Sequence, residues 1–369
     1  MKTYDVAVIG GGVIGAACAR AAAQRGHAAA IFEPGPDPAA ASPASAGMLA
    51  AQIEPAGEDA LSLSLRARDL YEPLAPALKE AVGIDIGLWH GGIASLAFDD
   101  TGMERLKAEV AAQRQAGLRC DWLEPDEVHE RWPGAAPETR GALFAPEDGA
   151  LDPEALTRAC LADARRLGAT LVPEHVRAVT IAAGRVTGLV TDQGPIAVRD
   201  VVVAAGAWSK GIAGLPASPA VEPVRGQMAA TPWPAGTPPA IIYYEHCYVL
   251  TRGEEAVLGS TMEHAGFDCR VTNEGLAQVF RSAVRLFPAL VRAPVLRTWA
   301  GLRPVTQDGR PIVGPDPHVE HLWYATGHGR NGVLLAALTG GVIGDLLSTG
   351  TTTVEIAPWR PSRAGALGA

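Results

Sequence analysis

The segment Gly10-Gly11-Gly12-Val13-Ile14-Gly15 constrains this chain more than any other. It follows a β-branched run at 4–9 that predicts a buried parallel strand. It precedes an alanine-rich run at 13–25 that predicts a helix closed by Gly26. A second strand is expected at 28–32, ending on Glu33. Strand, glycine turn, helix and strand in this order make the βαβ unit of a doubly wound sheet. Gly10 permits the tight turn, Gly12 lets the backbone approach a pyrophosphate, and Gly15 lets helix and strand pack closely. The helix start offers N–H groups and partial positive charge to the phosphates. Glu33, 18 residues past Gly15, is placed to accept hydrogen bonds from a ribose diol. The reading is a dinucleotide site, and the fingerprint fits FAD and NAD alike.

Beyond this unit, residues 34–47 are rich in Pro, Ala and Ser and read as a loop, and 58–82 reads as a helical stretch containing Pro73 and Pro76. Strand candidates such as 93–98 alternate with helical pieces such as 102–116. Asp152-Pro153 reads as an N-cap and first helical residue, opening a helix to Leu167 that ends at Gly168. The strand 201–205 runs into Gly206. Strands are expected at 241–244, 248–251 and 256–261, an amphipathic helix at 273–286, then a strand at 322–326, a glycine-rich turn and a helix at 333–347. With 369 residues, 48% of them hydrophobic, about two domains are expected. The α/β segments at both ends and in the middle suggest that these are built from interleaved pieces.

Composition narrows the partners. The net charge is −9, the pI is near 5.5 and there is no Lys/Arg run, which argues against a nucleic-acid or anionic-membrane surface. Five scattered cysteines without CxxC read as reduced thiols rather than a disulfide framework. No uninterrupted apolar stretch reaches the roughly 18 residues of a membrane span, so a cytoplasmic protein is expected. Nine histidines lack metal-site spacing, and no GxSxG is present, so neither a metal centre nor acyl transfer is expected.

FAD is favoured over NAD by the N-terminal position of the fingerprint and by two later strands that end in glycine, 201–206 and 322–327. The segment His328-Gly329-Arg330-Asn331-Gly332 could aim N–H groups at the pyrimidine edge of a flavin, or simply open a core helix.

Six motifs occur in one order: IGGGVIG, Ser45-Ala46-Gly47-Met48-Leu49, VVVAAGAWS, EHCYVL, WAGLRPVTQDGRPIVG and ATGHGRNGVLLAALTG. Over essentially its whole length the chain resembles the glycine oxidases, flavoproteins of the D-amino-acid oxidase family. The resemblance implies an α/β fold, with a Rossmann-like FAD-binding domain assembled from 1–85, 145–220 and 295–369. An interleaved α+β substrate domain on an antiparallel sheet would comprise 86–144 and 221–294. It implies noncovalent FAD, since Gly301 stands where sarcosine oxidases carry the cysteine that attaches flavin. It also implies oxidative deamination of glycine or small amines to an oxo acid and hydrogen peroxide, a homo-oligomer, and the supply of glycine imine for thiamine synthesis.

Residue by residue, the resemblance makes Arg303 the ligand of the substrate carboxylate, Tyr248 its hydroxyl partner and Arg330 an active-site arginine beside the flavin. Met48, Met262 and His246 fall at pocket positions. Gly10, Gly12, Val13, Ile14, Gly15, Glu33, Ser42, Ala46, Gly47, Met48, Val176, Gly206, Trp208, His328, Gly329, Arg330, Asn331, Gly332, Val333 and Leu334 fall at FAD-contacting positions. A guanidinium fork suits a carboxylate. The same residues have plainer readings: Arg303 paired with Asp308 or Glu263, Tyr248 as an interior strand residue, and Arg330 solvated at a helix start. Cys247 should face away from Tyr248 and only pack. The chemistry expected is hydride transfer from the α-carbon of a neutral amine to flavin N5, with no side-chain base needed at that carbon. Substrate orientation then carries the catalysis. Two variants stay open: cleavage of a specialised N-carboxymethyl or N-alkyl glycine, and a dehydrogenase passing electrons to a quinone.

Overall fold

The computed structural model describes residues 3–37, 39–55 and 60–368. Tyr4–Ile9 is the centre of a parallel sheet, flanked by Gly194–Val203 on one side and Ala29–Phe32 on the other. The full order is Ile312–Pro315, Leu322–Thr326, Gly194–Val203, Tyr4–Ile9, Ala29–Phe32, Thr170–Val172. The hairpin Val176–Ala182 and Arg185–Thr191 continues antiparallel from Gly194–Val203. Alternation along the first strand sends Val6 and Val8 into one core and Ala7 and Ile9 into another. Both faces are therefore covered, which explains why the strand reads as a continuous apolar run.

The helix Val13–Gln24 packs on that sheet beside Pro153–Arg166 and Gly332–Thr349. Its alanines leave room for a close crossing: a Cβ on Gly340 would lie 2.7 Å from the Ala17 carbonyl oxygen. The helix Gly332–Thr349 has 18 residues and is apolar along its length, so length and composition alone would let it cross a membrane. Its place in the core, contributing Leu335, Leu338, Val342 and Ile343, accounts for the apolarity. Asp152 caps Pro153–Arg166 through its carboxylate, which accepts from Glu154 and Ala155 N–H at 2.9 and 3.0 Å.

The second sheet runs Arg297–Thr306, Val221–Pro232, Glu255–Gly259, Cys247–Arg252, Ile241–Tyr244, Ile93–Ala97, Gly141–Ala145, Asp121–Leu123. It is antiparallel except where Ile241–Tyr244 meets Ile93–Ala97. Asn273–Leu286, capped by Thr272, lays Val279, Ala283 and Leu286 on one face with Val249 and Leu258.

Three features differ from the sequence reading. The strand Arg297–Thr306, grouped above with 295–369, is an edge strand of the second sheet, paired with Val221–Pro232 from Val221↔Thr306 to Ala230↔Arg297. The expected loop 34–47 contains a helix, Ala41–Ala44, whose backbone accepts from Trp299 Nε1 at 3.1 Å. Small residues allow this approach; a Cβ on Gly301 would meet the Ala44 Cβ at 2.4 Å. The stretch 58–82 is two helices, Leu61–Asp69 and Tyr71–Val82, with both prolines in the second. Its expected start at Glu58 lies outside the described residues.

Candidate active site

The glycine turn is built by close contacts. Gly10 has φ +107°, a conformation that disfavours any side chain, and a Cβ there would lie 2.5 Å from the Ala204 carbonyl oxygen. A Cβ on Gly15 would lie 1.9 Å from the Gly10 carbonyl oxygen, so only glycine lets the helix press onto the strand end. Ser42 Oγ accepts from Val13 N–H at 2.9 Å and ties the Ala41–Ala44 turn to the helix start. Glu33 Oε2 accepts from Gly11 N–H at 2.6 Å, holding the acid at the strand end expected for a ribose contact. Gly206 follows Gly194–Val203 and accepts from Thr326 Oγ1 at 3.3 Å. Trp208 packs against Phe267, ring centres 5.9 Å apart. Val176 is buried with Phe32 and Val172.

Ala46, Gly47 and Met48 run from this turn toward the second sheet. Met48 pairs with Ala150, and the Ala46 carbonyl accepts from Arg252. At the other end, His328 is buried and its Nε2 lies 3.0 Å from Thr339 Oγ1; burial lowers its pKa to about 3, so the ring is neutral. Gly329, at φ +53°, donates to the Pro304 carbonyl at 2.8 Å, which joins this segment to the strand of Arg303. Asn331 then opens the helix that begins at Gly332, and Val333 and Leu334 point into the core.

Arg303 and Tyr248 come together on the second sheet over two glycines. A Cβ on Gly226 would lie 2.1 Å from Arg303 Nη1, and one on Gly259 would lie 2.5 Å from Tyr248 Oη. The guanidinium donates to the Thr261 carbonyl at 3.1 Å and to Ser260 Oγ at 2.7 Å. Neither plainer partner reaches it. Asp308 is paired with Arg363 at 2.7 Å, and Glu263 with Arg225. Burial and the charge of Arg330 lower the Arg303 pKa, while Tyr248 and Glu54 oppose the shift. Tyr248 is only 4% exposed, its hydroxyl 3.7 Å from Met228 Sδ. Burial raises its pKa against the pull of Arg303 and Arg330, so it stays a neutral donor. Cys247 packs in the opposite layer, against the helix Asn273–Leu286, as strand alternation requires.

Arg330 is not a solvated helix-start residue. Its side chain is mostly buried and ion-paired with Glu54, donating from Nη2 to Oε2 at 3.2 Å and to the His246 carbonyl at 3.4 Å. Arg330 Nη1 is buried without a hydrogen-bond partner. Burial raises the Tyr243 pKa, and Glu54 adds to the shift. His246 reaches the site through its backbone, with its side chain exposed, and Met262 is 42% exposed. The sequence reading missed Glu54, although it is the single charge in residues 38–57. Its backbone is fixed by buried Asp148, which accepts from Gln52 and Ile53 N–H at 2.9 and 3.2 Å and pairs with Arg68 at 3.2 Å.

A glycine cradle on a parallel sheet, joined at Gly329–Pro304 to an arginine with no carboxylate partner among the described residues, is the arrangement of a dinucleotide-dependent oxidoreductase. Residues 5–346 match the family described as FAD dependent oxidoreductase (DAO), and the chain belongs to it. The chain is similar to the glycine oxidase of Geobacillus kaustophilus, with 36% identity over 98% of this chain and 97% of that protein. The crystal structure of glycine oxidase from that organism superposes with TM-score 0.94 and 34% identity, covering 98% of this chain and 99% of the other. The bifunctional protein ThiO/ThiG of Trichormus variabilis is 33% identical over 94% of this chain, which spans 53% of that protein. Iminodiacetate oxidase from Chelativorans sp. matches in structure with TM-score 0.85 and 26% identity, covering 96% of this chain and 98% of the other. FAD is the cofactor. The residues present fit that group: the glycine cradle, where a Cβ on Gly10 or Gly15 would strike a backbone oxygen, would face its pyrophosphate, Glu33 would accept from its ribose, and the His328–Leu334 segment would meet its ring end.

Proposed function

We propose that this chain catalyses oxidative deamination of glycine, or of a related small or N-substituted glycine, to glyoxylate. The observation that carries this reading is Arg303, a guanidinium on a glycine floor beside the neutral Tyr248 hydroxyl, with no carboxylate in ion-pair reach among the described residues. Its fork would hold a substrate carboxylate in two parallel hydrogen bonds, with Tyr248 donating a third. Glu54 is ion-paired with Arg330 and offsets its charge, which leaves the Arg303 guanidinium to the substrate carboxylate. Anchoring the substrate at this end leaves its amine and α-carbon toward the His328–Leu334 segment. Bound FAD supplies the two-electron acceptor for the α C–H bond and, with oxygen, the route to peroxide. The balanced reaction is glycine, O2 and water giving glyoxylate, ammonia and H2O2. Orientation replaces a base: neutral His328 is tied to Thr339, and no described side chain need take the α-proton.

We place the enzyme in the cytoplasm, in keeping with five free cysteines, and as a homo-oligomer. The ThiO/ThiG relative makes glycine imine for thiamine synthesis the pathway we favour. The exposed rim at Met262 and His246 favours a second reading, an oxidase of N-carboxymethyl or N-alkyl glycines. The test is the visible spectrum of the anaerobic holoenzyme with glycine, sarcosine, D-alanine, D-proline and an N-alkylglycine. Bleaching by glycine supports the first reading. Bleaching only by the N-alkylglycine selects the second, and bleaching by none refutes both. Peroxide release on admitting air separates an oxidase from a dehydrogenase that uses a quinone.

A further inference from the structure

The Arg303 guanidinium is held by the two residues that follow strand Glu255–Gly259. Ser260 Oγ accepts from Nη2 at 2.7 Å, and the Thr261 carbonyl accepts from Nη1 at 3.1 Å. Consecutive residues thus grip both terminal nitrogens of one plane. Thr261 is fixed in turn by Gln227: its hydroxyl accepts from the Gln227 N–H at 2.9 Å, and its own N–H donates to the Gln227 carbonyl at 3.4 Å. Thr261 is fully buried and Ser260 is 3% exposed. Two of the five guanidinium N–H groups are used in this way, and the others are left for a substrate carboxylate. Thr261 contributes only backbone, so Ser260 is the one side chain among the described residues that hydrogen-bonds Arg303.

The same hydroxyl meets the other carboxylate-binding group. Tyr248 lies across Gly259, the residue before Ser260, where a Cβ would stand 2.5 Å from the phenol oxygen. Burial raises the Tyr248 pKa, while the charges of Arg303 and Arg330 and a hydrogen bond from Ser260 pull it back. The donor directions are consistent. Arg303 can only donate, so Ser260 Oγ accepts there and keeps its own proton for the Tyr248 oxygen. Tyr248, accepting from Ser260, keeps its proton in turn. In the free site that proton is directed at Met228 Sδ, 3.7 Å away and a weak acceptor that a carboxylate would displace. Guanidinium, serine, phenol and carboxylate would then form a chain in which each bond polarises the next.

We propose that Ser260 is a positioning residue whose hydroxyl fixes the Arg303 fork and turns the Tyr248 proton toward the substrate carboxylate, so that the two groups bind as one clamp. The proposal rests on the reading of Arg303 as the carboxylate anchor. Ser260→Ala removes one oxygen and adds no volume. The Nη2 donor loses its acceptor, and the phenol loses the bond that orients it.

The experiment titrates holoenzyme with acetate, which carries the carboxylate and no amine, and follows the visible flavin spectrum. Thermal melts report on folding. Ser260→Ala is expected to weaken acetate about tenfold in a protein that keeps its flavin and melts cooperatively. The KM for the amine substrate should rise with a smaller change in kcat, as loss of ground-state binding requires. Because Ser260 acts in part through Tyr248, Ser260→Ala/Tyr248→Phe should lose less affinity than the product of the two single losses. Unchanged acetate binding in Ser260→Ala overturns the proposal. So do losses that multiply in the double variant, which is what two independent structural effects produce. If Ser260→Ala does not fold, Ser260→Cys, with a weakly hydrogen-bonding sulfur, is read the same way. Arg303→Met separates the two layers. Acetate binding that survives it removes the anchor reading, whereas its loss there with no effect at Ser260 removes only the positioning role.

Discussion

The substitution Gly226→Ala adds one methyl group to the floor under Arg303 and nothing else. The new Cβ would lie 2.1 Å from Nη1, 2.3 Å from Nη2 and 2.4 Å from Cζ. Ordinary non-bonded contacts are about 3.5–4 Å, so the guanidinium must retreat by roughly 1.5 Å. That retreat breaks its bonds to Thr261 and Ser260 and moves the carboxylate it would hold. A misplacement of about 1 Å costs on the order of 100-fold, or about 2.7 kcal/mol of transition-state stabilisation. The fold should survive, because the displaced atoms are the far end of a flexible side chain. The assay is kcat/KM for glycine, with anaerobic bleaching and a thermal melt alongside. The control is Gly211→Ala, where a Cβ meets nothing within 4 Å. We expect kcat/KM to fall about 100-fold in a folded protein. A fall smaller than about threefold would refute the reasoning, since the position of the guanidinium would then not matter.

Arg303→Met should raise KM by on the order of 100-fold, equivalent to about 3 kcal/mol for a lost charged hydrogen-bonded pair; steady-state kinetics on the best substrate checks it. FAD should be fully released by acid precipitation, because Gly301 is packed against Ala44 and offers no sulfur; absorbance left in the pellet would contradict this. Glu263 has a folded pKa below its usual 4.5: burial raises it, but hydrogen bonds from Thr261, Arg225 and Gln227 outweigh that. A depressed folded pKa means its contribution to stability is complete above about 4.5 and is lost as pH falls through the folded value. Urea unfolding of wild type and Glu263→Gln at neutral and acid pH should therefore differ most at neutral pH and converge in acid.

The fold was legible where one residue type serves one local purpose. Tyr4–Ile9, Ile241–Tyr244, Asn273–Leu286 and Leu322–Thr326 match the predicted bounds, since strand apolarity, cap chemistry and glycine stops act within a few residues. The helix Ala41–Ala44 was not legible because its short turn is fixed from outside, by Trp299 and by Ser42 capping another helix. The sheet membership of Arg297–Thr306 was missed for the same reason. Its twelve-residue partner lies some 75 positions earlier, and adjacency in sequence points to Leu322–Thr326 instead.

The site divides along the same line. Arg303, Tyr248 and Arg330 carry their chemistry on the side chain, so a motif can expose them. What makes them usable is held by residues with no such mark. Gly226 and Gly259 act by the volume they leave empty, and they become visible only when Arg303 and Tyr248 are seen lying across them. Glu54 acts by cancelling a charge 276 positions away, and Asp148 by holding the backbone that carries Glu54. Here Asp308 answers to Arg363, Glu263 to Arg225 and Glu54 to Arg330. Among the described residues no carboxylate is in ion-pair reach of Arg303, and that charge is what a carboxylate substrate can use.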